Sequence, residues 1–447
     1  MTIKQNFKYC ICFLLLLLCG LLVSGCTPEL PTPDSLITAP ASNQELMQQK
    51  QMIAEFLGKK DRMIVPEENE TGTAYQYINI DDDAENEMVV FYANNENNFV
   101  LGFMILDLQD GRWVQRYKTT AYGTDIHYFS VQDLDQDDVP EFLLGVRTGY
   151  GSMKELYVYR FSDKGLVDVI GDNHISYDQV VVAQPTDGQT MVVTARTDTT
   201  VLVGSSNITA YVYAGQSVYP IYDATFDGYC SEMRFDRVDT WTEGLYLAMR
   251  YNHYINMLLL CVEDGNFTLA LEHPIPYDYE DMVGIDLFGD INYDGILELN
   301  SLWTPENNLS EKSYQEYVHV WLQWDGDAGL RAVSAVQEDK LAGYRFIIPV
   351  AWMDSLYYDF YSEREIDWVE FYYENEEHRF ETVFALAAVD QLVWSEIADQ
   401  MEESVVVLGN NPSKNKVYIA NIETDIFNGF WVDVGTLISC LQIEGGV

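Results

Sequence analysis

Basic residues are scarce: 25 Lys and Arg stand against 71 Asp and Glu in 447 residues, a formal charge of −46. Such a surface repels a polyanion at every approach, which excludes nucleic acid as an expected partner. Histidine is sparse too. His127, His174, His253, His273, His319 and His378 show no H-E-x-x-H or H-x-H spacing, so a zinc hydrolase has no support. A G-x-S-x-G elbow, a P-loop and a dinucleotide fingerprint are all missing, and the glycine-rich stretch around Gly149 and Gly151 reads as a turn between strands. Of seven cysteines, Cys10, Cys12 and Cys19 lie in an N-terminal apolar stretch, while Cys230, Cys261 and Cys440 have no short spacing. That argues against a disulfide framework and a zinc site; buried free thiols are expected, with a Cys230–Cys261 bridge as the alternative. Apolar side chains, by contrast, are plentiful. At 48% hydrophobic and 13% aromatic, the chain buries enough surface to offset its conformational entropy and fold.

One long apolar run exists, Ile11 to Val23, preceded by Lys4 and Lys8 and followed by Ser24, Gly25 and Cys26. A basic start, an apolar middle too short for a comfortable span and a small-residue end predict a signal peptide over residues 1–25. Leu22 to Cys26 resembles the bacterial lipobox. The resemblance implies diacylation of the Cys26 thiol, cleavage before it, and anchoring to the cell membrane on its extracytoplasmic face, which two acyl chains make stable. Residues 26–43 are rich in Pro, Ser, Thr and Ala and read as a tether. Residues 44–60 carry Leu46, Met52, Ile53, Phe56 and Leu57 at helical spacing, predicting a short helix.

From Thr73 onward the pattern is alternating apolar runs broken by Gly, Asn and Asp, predicting an all-β fold. Three stretches share one spacing of oxygen donors at positions 1, 3, 5 and 9: Asn79, Asp81, Asp83 and Glu87; Asp133, Asp135, Asp137 and Glu141; Asp290, Asn292, Asp294 and Glu298. Each follows a strand-like stretch and runs into another. The first two start 133 − 79 = 54 residues apart and the third 290 − 133 = 157 further on, close to three periods, with degenerate copies near Pro185 and Asp236. In the second unit the strands expected are Phe142–Val146, Leu156–Phe161, Leu166–Ile170 and Ile175–Val182. A sixth unit is expected to open with Arg345–Trp352 and continue through Trp368–Tyr373, Val383–Val389 and Val405–Leu408. Four strands per fifty-odd residues is the arithmetic of a β-propeller over residues 66–409, with six blades in a range of five to seven. Residues 410–447 then form a small α/β closing element or cap, with Lys416–Ile422 as a strand and Val434–Ile443 as a helix or strand. A helix is expected at Asp390–Met401. Ring closure through Tyr75–Ile80 as a strand of the last blade is the alternative.

These loops resemble the FG-GAP/VCBS-type propeller repeats of bacterial surface proteins, including lipoproteins of Gram-positive type, whose D-x-D-x-D-G-x-x-D/E pattern implies a calcium ion per loop. The physics agrees. Carboxylates 4 Å apart repel by about 4 kcal/mol at an effective dielectric near 20, and hard oxygen donors at alternating positions suit Ca2+ better than zinc or magnesium. The expected ligands are the twelve residues above, with the position-seven carbonyls of Glu85, Val139 and Ile296. Position six favours positive φ: Gly295 supplies it, Asp138 tolerates it and Ala84 does so poorly, ranking the Asp290 loop first, the Asp133 loop second and the Asn79 loop last.

No residue is singled out as catalytic. Trp113, Trp241, Trp303, Trp321, Trp324, Trp352 and Trp368 either pack between blades, the favoured account, or line a face that stacks on sugars or peptides. The functional expectation is a lipid-anchored, non-enzymatic scaffold that binds a protein or glycan at the cell surface, with structural calcium. The alternative is an extracytoplasmic carbohydrate-active hydrolase or lyase on the same scaffold.

Overall fold

The computed structural model describes residues 43–444, apart from 69–71, 82–84, 150–152, 163–164, 187, 199, 201–203, 215–216, 252–253, 264, 276–285, 304–317, 328, 365, 425 and 428. Cys26, the signal peptide and the tether lie outside the described residues, as do Asp83, Ala84 and His253. The chain divides into two compact units at Lys59/Lys60. In the first, the expected helix spans Asn43–Leu57; Gly58 follows at φ 66° and donates its N–H to the Ala54 carbonyl at 2.9 Å, ending the helix with the left-handed residue that glycine adopts most readily.

The second unit is all-β. Its described residues form six antiparallel sheets in chain order and one two-stranded ribbon. The first sheet is built on Glu87–Asn94, Val100–Gln109 and Arg112–Lys118, with Asp61–Met63 and Tyr75–Ile78 on one side and Ala121–Tyr122 on the other. The second is the meander Asp125–Gln132, Glu141–Arg147, Lys154–Ser162 and Gly165–Asp168. The third is Gln179–Ala183, Met191–Asp198, Ser205–Ala214 and Ser217–Asp227, and the fourth is Tyr229–Arg237, Glu243–Tyr251, Tyr254–Glu263 and Asn266–Ile275. The fifth runs Phe288–Gly289, Glu298–Trp303, Val318–Trp324, Leu330–Asp339 and Tyr344–Ile348, and then takes up Leu441–Ile443 from the chain end. The sixth contains Leu356–Glu363, Ile366–Glu374, Phe380–Asp390, Lys416–Ile422 and Val405–Asn411.

Why these strands are apolar on both faces follows from how the sheets pack. Successive side chains of a strand point to opposite faces. In the second sheet Phe142, Leu144 and Val146 join a core with Phe91 and Phe103 of the first sheet, while Leu143 joins Val192 and Tyr213 of the third. In the fourth, Leu245, Leu247 and Met249 pack with Met191 and Val193 of the third, while Tyr246 and Ala248 pack with Phe288 and Leu299 of the fifth. Each sheet therefore lies face to face with the next, and burying a side chain such as Phe142 contributes about 1.5–3 kcal/mol.

Two local expectations are corrected and two alternatives fall away. Ile175–Val182 is not one strand: Ile175–Tyr177 pairs with Lys154–Leu156, whereas Gln179–Ala183 starts the third sheet. The break falls at Asp178, whose N–H donates to the Ala195 carbonyl and whose carbonyl accepts from Lys154 Nζ at 2.8 Å. Tyr344–Ile348 does not open a sixth unit; it pairs with Ala335–Asp339 in the fifth sheet, and Val350–Met353 is helical. Tyr75–Ile78 pairs with Glu87–Val90 in the first sheet, not the last. Cys230, Cys261 and Cys440 are all free and buried, so the Cys230–Cys261 bridge does not form. Nearer the expectation, Gln391–Ile397 is a helix, Lys416–Ile422 a strand, and Val434–Cys440 a helix leading into Leu441–Ile443.

Candidate metal centre

All three acidic loops join two consecutive strands that pair with each other in one antiparallel sheet. Pairing of Ile78 with Glu87, Gln132 with Glu141 and Gly289 with Glu298 leaves the same nine-residue step in each. The degenerate copies span shorter steps, Ala183 to Met191 and Arg237 to Glu243, and lose the donor spacing with the missing residues.

The position-nine glutamate is the anchor. Its Oε2 accepts the N–H of position two in every case: Ile80 to Glu87 at 2.7 Å, Leu134 to Glu141 at 2.9 Å and Ile291 to Glu298 at 2.9 Å. Position one then folds the loop back. Asp133 Oδ1 and Oδ2 accept from the N–H groups of Asp137 (3.1 Å) and Asp138 (2.9 Å), and Asp290 does the same for Asp294 (3.0 Å) and Gly295 (2.9 Å). Position five closes the turn, Asp137 and Asp294 accepting from Val139 and Ile296 at 3.0 and 2.9 Å. Asp138 and Gly295 take the expected positive φ, 63° and 80°. A second left-handed residue at position four, Gln136 at 59° and Tyr293 at 60°, is not foreshadowed by the residue type.

Two carboxylate groups converge to within 4.8 Å of one another: Asp133, Asp135 and Glu141, and Asp290, Asp294 and Glu298. Either can bind a metal ion. Glu141 and Glu298 are fully buried; burial first, then the neighbouring aspartates, push both carboxyls up to about 7. In the Asp133 loop, Glu141 Oε1 and Asp135 Oδ1 are buried without a hydrogen-bond partner, so the donor set fits a hard cation. In the Asp290 loop the counterpart oxygens are satisfied, Glu298 Oε1 by Gln323 Nε2 (2.9 Å) and Asn292 Oδ1 by the Asp294 N–H (2.9 Å), while Asp294 Oδ2 at position five accepts from Asn292 Nδ2 and Gln323 Nε2, both at 3.1 Å. Of the Asn79 loop, Asp81 is held by Arg116 at 3.0 Å and Asp83 lies outside the described residues.

Side chains from the strand that follows each loop's glutamate-bearing strand face each loop. Extending the registers places Asp107 opposite Glu87, Arg160 opposite Glu141 and Gln323 opposite Glu298. Arg160 sits amid its loop, Nη1 3.0 Å from Asp135, Nη2 on Asp137, Nε 3.4 Å from Glu141, and Nη1 also 2.9 Å from the Tyr213 hydroxyl of the next sheet. These residues follow their loops by some 20–30 positions, and only the strand register brings them in.

Elsewhere His127 is buried, between Glu68 (3.3 Å) and the Tyr177 hydroxyl (3.2 Å). Trp321, Trp324, Trp352 and Trp368 are buried, in keeping with packing, whereas Trp241 and Trp431 are exposed. A cleft of about 660 Å3 between the fifth and sixth sheets is lined by Asp339, Tyr361, Asp367, Trp368, Asp390 and Lys416, among others. In it Tyr361 and Trp368 stack with centroids 6.4 Å apart.

No family model matches the chain, and no curated protein matches it. Among solved structures it is similar to the exotype rhamnogalacturonan lyase YesX, at 13% identity and a TM-score of 0.32 over 82% of this chain and 75% of that one. A likeness that slight assigns neither fold nor activity. Among the described residues no helix is long and apolar enough to cross a membrane.

Proposed function

We propose that this chain is a lipid-anchored, extracytoplasmic β-propeller whose blades are stiffened by calcium and which serves as a non-enzymatic binding scaffold for a protein or glycan. One observation carries the calcium reading: the same nine-residue acidic loop, anchored by the same buried glutamate, recurs at the same strand junction. Six sheets stacked face to face in chain order support the propeller. A bound Ca2+ would supply positive charge to carboxylates that otherwise repel one another, held by Asp133, Asp135, Asp137 and Glu141 in one blade and by Asp290, Asn292, Asp294 and Glu298 in another. Ligands at the Asn79 loop would be Asn79, Asp81, Asp83 and Glu87. An extracellular site needs an affinity of only about 10⁻⁴–10⁻³ M; at tenfold excess one ion then stabilises the fold by about 1.4 kcal/mol. The anchor would be Cys26.

The ligand face is the cleft between the fifth and sixth sheets. The half-exposed Tyr361 ring backed by Trp368 offers an aromatic platform, and Asp339, Asp367 and Asp390 offer hydroxyl acceptors, a combination suited to a neutral glycan. Binding of envelope glycans to the purified chain, lost in Tyr361→Ala, is the test. Acids beside an aromatic platform also favour a second reading, a hydrolase or lyase, which release of shortened or unsaturated sugars would establish in place of a binder.

A further inference from the structure

The two converging loops differ at two positions that meet at the same place, in direct contact in the second sheet and through a shared glutamate oxygen in the fifth. In the second sheet, loop position three is Asp135 and the facing residue is Arg160, 3.0 Å apart. In the fifth, the corresponding residues are Asn292 and Gln323, both neutral and both donating to Glu298 Oε1, at 3.4 and 2.9 Å. Counting the donor positions with the facing side chain, Asp133, Asp135, Asp137 and Glu141 with Arg160 give −4 + 1 = −3, and Asp290, Asp294 and Glu298 with Asn292 and Gln323 give −3. By that count the donor positions and the facing side chain carry the same charge in both loops, reached by two routes; in the fifth sheet the base stands one strand further out, Arg331 donating to Gln323 Oε1.

We propose that Asp135–Arg160 and Asn292–Gln323 are exchangeable counter-charge pairs, and that Arg160 is a positioning residue built into the second loop. Its planar fork takes Oδ2 of Asp135 and Oδ2 of Asp137 and fixes both carboxylates, while its Nε stands 3.4 Å from the fully buried Glu141 Oε1, an ion pair without a hydrogen bond, and Asp135 Oδ1 keeps no hydrogen-bond partner. Tyr213 of the third sheet holds the guanidinium from behind at 2.9 Å, with the guanidinium carbon 5.4 Å from its ring centroid, so the pair also ties one sheet to the next. Arg160 thus performs without an ion part of what a cation does, leaving a residual demand for one divalent ion equal to that of the fifth loop. This last step rests on the calcium reading; the pairing itself does not.

The test is thermal unfolding of the purified full chain in EDTA and in millimolar CaCl2 for wild type, Arg160→Gln and Asp135→Asn/Arg160→Gln. Arg160→Gln leaves four carboxylates against no base and should lower the melting midpoint in EDTA by several degrees, with a larger gain on adding calcium than wild type shows. The double variant recreates the fifth loop's pair and should return the EDTA midpoint most of the way to wild type. A wild-type midpoint for Arg160→Gln in EDTA, or a double variant no better than the single, overturns the proposal. If the double variant rescues but CaCl2 moves no midpoint, the counter-charge pair stands and the calcium reading falls.

Discussion

His319 is buried in the fifth sheet, with Nδ1 3.2 Å from Asn300 Oδ1, and burial first, then Lys340 and Arg345, hold its pKa down at about 4. Because the folded value lies below the ordinary 6.5, the stability it contributes is complete above about pH 6.5 and is lost as pH falls toward 4, by up to about 3 kcal/mol. His319→Gln should flatten the stability curve in that window, which urea unfolding at pH 7.0 and 4.5 would reveal as a smaller difference than in wild type. Glu298 separates two roles in one side chain. Glu298→Gln keeps an acceptor for the Ile291 N–H and should fold while losing the Asp290 loop's share of the calcium-dependent rise in melting midpoint. Glu298→Ala also strands that N–H and should cost about 1–3 kcal/mol even in EDTA.

Within single elements, packing tolerances are tight where sheets face each other. A Cβ on Gly145 would stand 1.9 Å from the Tyr177 hydroxyl and 3.0 Å from Tyr128 Cβ. Gly145→Ala should therefore destabilise by about 1–3 kcal/mol, and adding Tyr177→Phe should recover part of it, measurable by a double-mutant cycle. Such constraints are invisible in the sequence, yet the elements themselves are largely written there. The three loops announced their position and their turn at Gly295 and Asp138 through donor spacing and residue type. Ile175–Val182 was unreadable because a single Asp-Gln step inside a strand-like stretch does not show where one sheet ends and the next starts; only the hydrogen bonds of Asp178 do. Arg345 misled for a related reason, since nothing local distinguishes a strand that closes one sheet from one that opens another. Arg160 and Gln323 belong to the candidate sites through register alone, and position-four strain at Gln136 and Tyr293 has no sequence mark.

For the whole molecule, repetition distributes stability over interfaces between neighbouring sheets. Loss of calcium should then lower the midpoint modestly rather than unfold the chain, a shift that EDTA titration followed by circular dichroism would show. The proposed membrane attachment is separable from all of this: Cys26→Ser should move the protein from the membrane fraction to the soluble fraction without altering its melting curve. Six sheets follow one another along the chain, each able to settle against a neighbour already made, with one exception. Leu441–Ile443 lies beside Tyr344–Phe346 in the fifth sheet, so that sheet borrows its outermost strand from the final residues. In a polypeptide emerging N-terminus first, the Tyr344–Phe346 edge therefore stays unpaired until residues 441–443 have been made, and a chain cut short before Leu441 should keep that margin bare, open to proteases and to other strands.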